Sequence, residues 1–313
     1  MARPTTFGNT ARVASLVAGA SQLLAASLAP SSTVQYQRAW ARYKLFCKDI
    51  QASTFFPASV ATLSLFITHL ASPPITASAA TIATTISAIS YFHKLSGVED
   101  PTGHFLIRKI LKGTSKLHPA ADLRIPIAPS VLQALIVSSK DIASSPYEAV
   151  LIAAMFSLMF HAFLRIGEVT VSPHNLSYGQ VVVSTIGITV TFITFKHSLG
   201  NPMALAIPPS SLPTCPVKLL QSYLRKRGSS PGPLFCYPGL AGISPAQFRT
   251  FLNMALARCN LSSLWITPHS FRIGAATFAA SKGSSTSQIQ AMGRWKSSAF
   301  LKYIRIQSIT LPS

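Results

Sequence analysis

Over the first 116 residues, apolar positions recur every three or four residues, the spacing that lines one face of an α-helix. Breaks in that rhythm delimit five expected helices, at about Thr10–Leu28, Thr33–Ile50, Pro57–Leu70, Ala77–Leu95 and Thr102–Lys116. In the second, Tyr36, Trp40, Tyr43 and Phe46 form an aromatic stripe that reads as core, with Ser32 or Thr33 as its N-cap. Arg38, Arg42, Lys44 and Lys48 interleave with that stripe, and Arg108, Lys109, Lys112 and Lys116 repeat the pattern in the fifth helix. Each basic cluster is either a solvated face or a surface for backbone phosphates.

The rhythm stops between Leu117 and Pro129, where HPAADLRIPIAP carries three prolines and no periodicity. That stretch reads as a linker over 119–128, dividing the chain into a helical part, 1–118, and a second part, 129–313. The second part opens with expected helices near Ser130–Lys140 and Pro146–Phe163. Around Gly179–Phe195 the pattern changes to β-branched alternation, VVVSTIGITVTFITF, which predicts a hairpin followed by a turn at Ser198–Pro202. Helical signals return from Pro216 onward, and no internal repeat is apparent. The expectation is a helical domain followed by a mixed, mainly helical one with a small sheet.

Composition narrows the chemistry. The chain has 313 residues, 49% hydrophobic and 11% charged, enough for two folded cores. Its 27 Lys and Arg against 7 Asp and Glu give a net charge of +20, which suits a polyanion: nucleic acid or an anionic membrane surface. All the acids, the last being Glu168, lie at or before position 168, whereas thirteen Lys or Arg follow from Lys196 to Arg305. Two-metal phosphoryl transfer needs converging carboxylates, so any such chemistry in the C-terminal half is expected to proceed without metal. Cys47, Cys215, Cys236 and Cys259 lack metal-ligand spacing and fit a reducing compartment. The apolar run Ala149–Leu164 contains His161, is flanked by Glu148 and Arg165, and reads as a buried helix. The Ala- and Ser-rich stretch Val13–Ala29 faintly resembles a transit peptide, but an amphipathic helix is the preferred reading.

Four separated segments carry candidate chemistry. In AFLRIGEV, Arg165 and Glu168 lie three apart on one helical side, which alone reads as a structural ion pair. In TFKHSLGNP, Lys196 sits at the expected end of a hairpin strand. In TPHSFRIGAATFAA, Thr267 is a suitable N-cap and Pro268 suits the first turn. His269 and Arg272 then project together from a helix N-terminus, where free backbone N–H groups favour an anion. In MGRWKSSAFLKYIR, Ser297 or Ser298 can cap a short helix whose apolar residues are Phe300, Leu301 and Ile304, with Tyr303 between Lys302 and Arg305. Singly, each segment has a bland explanation; what distinguishes them is their order, R-x-x-E, K, H-x-x-R, W, Y.

That ordered set resembles the tyrosine recombinase (phage integrase) family over nearly the whole chain. HSFRIGAA, GRW and YIR are most similar to Cre recombinase and to the recombinases of DIRS-like, Ngaro and Crypton mobile elements. The resemblance implies a mainly α protein: an N-terminal helical core-binding (SAM-like) domain and a C-terminal α+β catalytic domain with a small antiparallel sheet. It implies that Tyr303 attacks DNA to form a 3′-phosphotyrosine, that Arg165 and Arg272 clamp the phosphate, and that His269 handles the tyrosine proton. Lys196 would be the general acid, with Lys218 a distant alternative. Glu168 would orient Arg165 or His269, and Trp295 would donate a hydrogen bond to the phosphate. A phenol of pKa about 10 is only about 0.1% ionised at pH 7, so such assistance is needed.

No cofactor, metal or nucleotide enters these roles. The implied partners are double-stranded DNA and three further copies of the chain, a homotetramer on two DNA sites passing through a Holliday junction, with no membrane. Arg38, Arg42, Lys44, Arg108 and Lys112 are expected to meet the DNA backbone. A eukaryotic mobile element would place the protein in the nucleus; otherwise it would be cytoplasmic with DNA. The interval from Trp295 to Tyr303 is eight residues, one shorter than in Cre, and ten residues follow Tyr303, little for a helix exchanged between protomers. A type IB topoisomerase-like activity and a recombinase-derived DNA-binding protein without strand exchange are the competing readings.

Overall fold

The computed structural model describes residues 7–119, 122–195 and 201–305, so Lys196 and His197 lie outside the described residues. The chain divides into two compact units, Met1–Asp122 and Leu123–Ser313.

The first unit is helical: α1 (Phe7–Ala26), α2 (Pro30–Asp49), α3 (Val60–Ala71), α4 (Ala79–Leu95), a 3-10 turn at Pro101–Gly103, and α5 (Phe105–Leu117). α2 begins earlier than the pattern predicted. Its N-cap is Ala29 rather than Ser32 or Thr33, because Pro30 at the first position has the helical φ built in. Side-chain caps do start α3 and α4, where the Ser59 and Ser78 hydroxyls accept from Thr62 and Thr81 N–H. Tyr43 and Phe46 of α2 are buried against Leu63, Phe66, Ile86 and Ile107, so the aromatic stripe is core. Trp40 joins it, 4.9 Å from Phe92 and 5.6 Å from Phe56. The amphipathic face expected of α1 buries nothing: Val13, Leu16, Val17 and Leu23 are all exposed.

The second unit contains α6 (Pro129–Ile142), α7 (Pro146–His161), a single-turn α8 (Ile166–Val169), β1 (Val181–Ser184), β2 (Gly187–Phe192) and β3 (Met203–Ile207). α9 (Pro216–Arg227), α10 (Pro245–Arg258), α11 (Pro268–Ser281), α12 (Thr286–Met292) and a 3-10 turn at Ser298–Tyr303 complete it. α7 is the apolar run read from the sequence, and it is the hub of the core: every residue from Leu151 to Phe160 is buried. Among the described residues no single helix is long and apolar enough to cross a membrane.

The sheet is antiparallel in the order β1-β2-β3, with Val181 opposite Val190 and Ile188 opposite Ile207. β3 was not expected. MALAI has no β-branched residue until its last position, and pairing with β2, rather than intrinsic preference, makes it a strand. The expected linker also differs. Ile125 N–H donates to the Trp265 carbonyl (3.0 Å) and Ile127 N–H to the Ser270 carbonyl (3.2 Å), and Ile127 is fully buried. Residues 123–128 therefore belong to the second unit, packed along the start of α11. Gly274 makes room for them, since a Cβ there would overlap the Ile127 carbonyl oxygen and lie 2.9 Å from its carbon.

Candidate active site

The site is assembled where α7 turns into α8. After α7, Phe163 takes a left-handed φ of 52°, and the chain reverses into Arg165, the residue that precedes α8. The carboxylate of Glu168 reaches back over that turn. Its Oε2 accepts from the Arg165 backbone N–H at 2.8 Å, and its Oε1 accepts from Arg165 Nη1 at 3.2 Å. The expected pair therefore forms, with Glu168 buried and the Arg165 side chain 25% exposed.

α11 supplies the next two groups. Thr267 precedes it and Pro268 opens it, and the Ser270 hydroxyl accepts from the Thr267 N–H at 3.0 Å. His269 is half-buried one residue into the helix, while Arg272, one turn on, is fully buried. Arg272 Nη1 donates to the Phe163 carbonyl at 2.5 Å, and Nη2 donates to the Gly293 carbonyl. Its guanidinium lies 4.1 Å from the Trp295 ring centre and 6.0 Å from that of Tyr303. Burial, and then the neighbouring Arg165 and Arg294, pull Arg272 down to about 9 from its ordinary 12.5. It remains charged at neutral pH.

The turn after α12 brings the third component. Arg294 has a φ of 55°, and a Cβ on Gly293 would fall inside the Trp295 indole, so glycine is required for this chain path. The Trp295 ring packs at a tilt 5.0 Å from Tyr303 and 6.0 Å from Phe300, and the His269 ring lies 4.9 Å from Tyr303. The short segment holding Tyr303 is a 3-10 turn, capped by Ser297 accepting from Ala299 N–H at 3.3 Å. It is tied to α11 through Thr277, whose hydroxyl donates to the Tyr303 carbonyl (3.1 Å) and accepts from Arg305 N–H (3.0 Å).

Six residues far apart in sequence, Arg165, Glu168, His269, Arg272, Trp295 and Tyr303, thus meet in one place. Arg38, Arg42 and Lys44 on α2 and Arg108 and Lys112 on α5 are exposed on the first unit. One participant escaped the sequence reading. Arg294 is buried, donates from Nη2 to Glu168 Oε2 at 2.8 Å, and lies 3.8 Å from the Phe192 ring centre. Its signal was present in GRW: an arginine between a glycine and a tryptophan, in a stretch that has no acid after Glu168, can meet a carboxylate only at or before position 168.

Electrostatically the pocket is unbalanced. Three guanidinium groups, Arg165, Arg272 and Arg294, share the single carboxylate of Glu168. Buried cations of this kind demand an anion, and guanidinium forks match the oxygens of a phosphate. A phenol and an imidazole stand directly beside that charge. No group of three or more His, Cys, Asp or Glu that could hold a metal ion occurs among the described residues.

No family model matches the sequence, and no curated protein does. Solved structures match by shape. A lambda integrase dimer bound to a COC′ core site superposes with a TM-score of 0.64 at 13% identity, covering 100% of this chain and 85% of that one. XerH site-specific recombinase bound to palindromic difH substrate gives 0.63 at 15%, over 86% and 74%. The Tn1549 transposon integrase in complex with transposon right end DNA gives 0.61 at 12%, over 90% and 91%. The chain has the fold of these integrases and recombinases: helical throughout, with one small antiparallel sheet in its second unit.

Proposed function

We propose that this chain is a site-specific DNA recombinase or integrase that cleaves and rejoins DNA through a 3′-phosphotyrosine on Tyr303, without metal or ATP. The observation that carries this reading is the cluster of buried Arg272 and Arg294, partly exposed Arg165 and buried Glu168, set against a tyrosine and a histidine. In the proposed reaction Tyr303 Oη attacks the phosphorus, His269 takes its proton, and the 5′-oxygen of the neighbouring nucleotide departs. Arg165 and Arg272 meet the charge that builds on the nonbridging oxygens. Trp295 packs beneath the tyrosine and directs its indole N–H to the phosphate. Lys196 protonates the leaving oxygen. The phosphotyrosine keeps the energy of the phosphodiester, so a 5′-hydroxyl from a second duplex can reverse the step and release Tyr303.

Double-stranded DNA as partner is supported by the charge of +20 and by the DNA held in the lambda integrase, XerH and Tn1549 structures of the same fold. Arg38, Arg42, Lys44, Arg108 and Lys112 provide phosphate contacts in this reading, and four protomers act on two sites. The test is an adduct gel. DNA enriched by the protein from a random pool is rebuilt as a nicked suicide duplex and incubated with the full chain in EDTA. An SDS-resistant protein–DNA band that Tyr303→Phe abolishes, with duplex binding retained, is expected. A metal requirement, or a band that survives the substitution, overturns the mechanism.

A further inference from the structure

We propose that Arg294 is a positioning residue that occupies Glu168 Oε2 and so limits the Arg165 side chain to one carboxylate oxygen, leaving the rest of the Arg165 guanidinium available to an anion; this rests on the phosphotyrosine reading above. Arg294 already has its anion, because its side chain is 0% exposed and its Nη2 is taken by the Glu168 carboxylate. It is locked from several directions: Nη1 donates to the Ala162 carbonyl (3.2 Å), Nη2 to the Phe163 carbonyl (3.3 Å), and its guanidinium covers Phe192. From there Nη2 holds Glu168 Oε2 at 2.8 Å, while Arg165 Nη1 holds only the other oxygen, at 3.2 Å. Among the described residues the remaining side-chain donors of Arg165 have no hydrogen-bond partner, and the side chain is 25% exposed.

The formal charge makes the consequence definite. Arg165, Arg272 and Arg294 less Glu168 leave +2, which matches a phosphodiester that gains a second negative charge on the way to its transition state. Without Arg294 the count falls to +1, and Arg165 becomes the sole cation on a buried carboxylate. A guanidinium fork then closes on both carboxylate oxygens and is lost to the phosphate. Arg294 therefore acts on the reaction through Arg165, at a distance from the DNA.

Charge deletion and charge restoration separate this role from a merely structural one. Arg294→Gln should slow adduct formation on the nicked duplex by about 100-fold at saturating DNA, with the duplex Kd unchanged. Adding Glu168→Gln restores the count to +2, so the double variant should return to within about tenfold of the wild-type rate. Thermal melts of all the proteins, including Glu168→Gln alone, report folding. An Arg294→Gln rate equal to wild type overturns the proposal. So does a folded double variant that stays more than tenfold slow, or one that does not fold. Failure of the wild-type chain to form any adduct overturns the phosphotyrosine reading and this inference together; loss of rescue alone overturns only this one.

Discussion

Replacing Arg272 by Met removes a fully buried charge from the middle of the site, and its effect on stability is expected to be small. Burial beside Arg165 and Arg294 moves Arg272 from 12.5 to about 9. At about 1.4 kcal/mol for each pH unit, holding it charged at neutral pH costs the fold about 5 kcal/mol. Against this stand two charge-assisted hydrogen bonds, to the carbonyls of Phe163 and Gly293, worth together about 3–6 kcal/mol. The Phe163 carbonyl also keeps Arg294 as a second donor, so it is not orphaned. A methionine fills the slot beneath Trp295 without a charge. The unfolding free energy in urea should therefore change by no more than about 2 kcal/mol, whereas adduct formation should fall by about 10³-fold or more. A loss above about 4 kcal/mol would make Arg272 a structural residue, and an undiminished adduct rate would remove it from the chemistry.

The same unpaired charge predicts that inorganic sulfate raises the Tm of the DNA-free protein and that Arg272→Met abolishes most of that rise; equal shifts in both proteins contradict an anion site here. Gly274→Ala should cost about 2–4 kcal/mol in urea unfolding, because its Cβ displaces Ile127 and breaks the bond to the Ser270 carbonyl; a loss under 1 kcal/mol refutes that packing. His161, with its Nε2 buried and unpartnered among the described residues, is pushed down from 6.5 to about 4 by burial. Its folded form is neutral, so its contribution is complete above pH 6.5 and is lost as pH falls toward 4, by about 3 kcal/mol. His161→Gln should flatten urea stability measured between pH 7 and 4.5, and an unchanged slope refutes the assignment.

The elements that sequence periodicity exposed are those whose signal is local. α2 with its aromatic stripe and α7 with its unbroken apolar run declare themselves, because burial on a helix repeats within a few residues. β3 does not, since Met203–Ile207 takes its identity from five partners on β2 and from no preference of its own. The prolines of 119–129 read as a loop, and nothing local shows that Ile125 and Ile127 find their hydrogen bonds on residues 265 and 270. At the site, the recurring residue types made Arg165, Glu168, His269, Arg272, Trp295 and Tyr303 legible through resemblance, and the fold gathers them. Arg294 was missed for a physical reason. In an exposed turn an arginine is solvated and unremarked; only the left-handed backbone at 294, set by its glycine and tryptophan neighbours, turns it inward onto Glu168.

The central claim is that Tyr303 becomes covalently joined to DNA, and peptide mapping of the adduct tests it directly. Trypsin cleaves after Lys302 and Arg305, so the nucleotide should be found on the tripeptide Tyr303-Ile304-Arg305. Mass spectrometry of the digested, nuclease-trimmed adduct should show that peptide carrying a phosphotyrosine-linked nucleotide. A nucleotide on any other peptide, or an adduct that hydroxylamine removes as it would an acyl phosphate, would contradict the account.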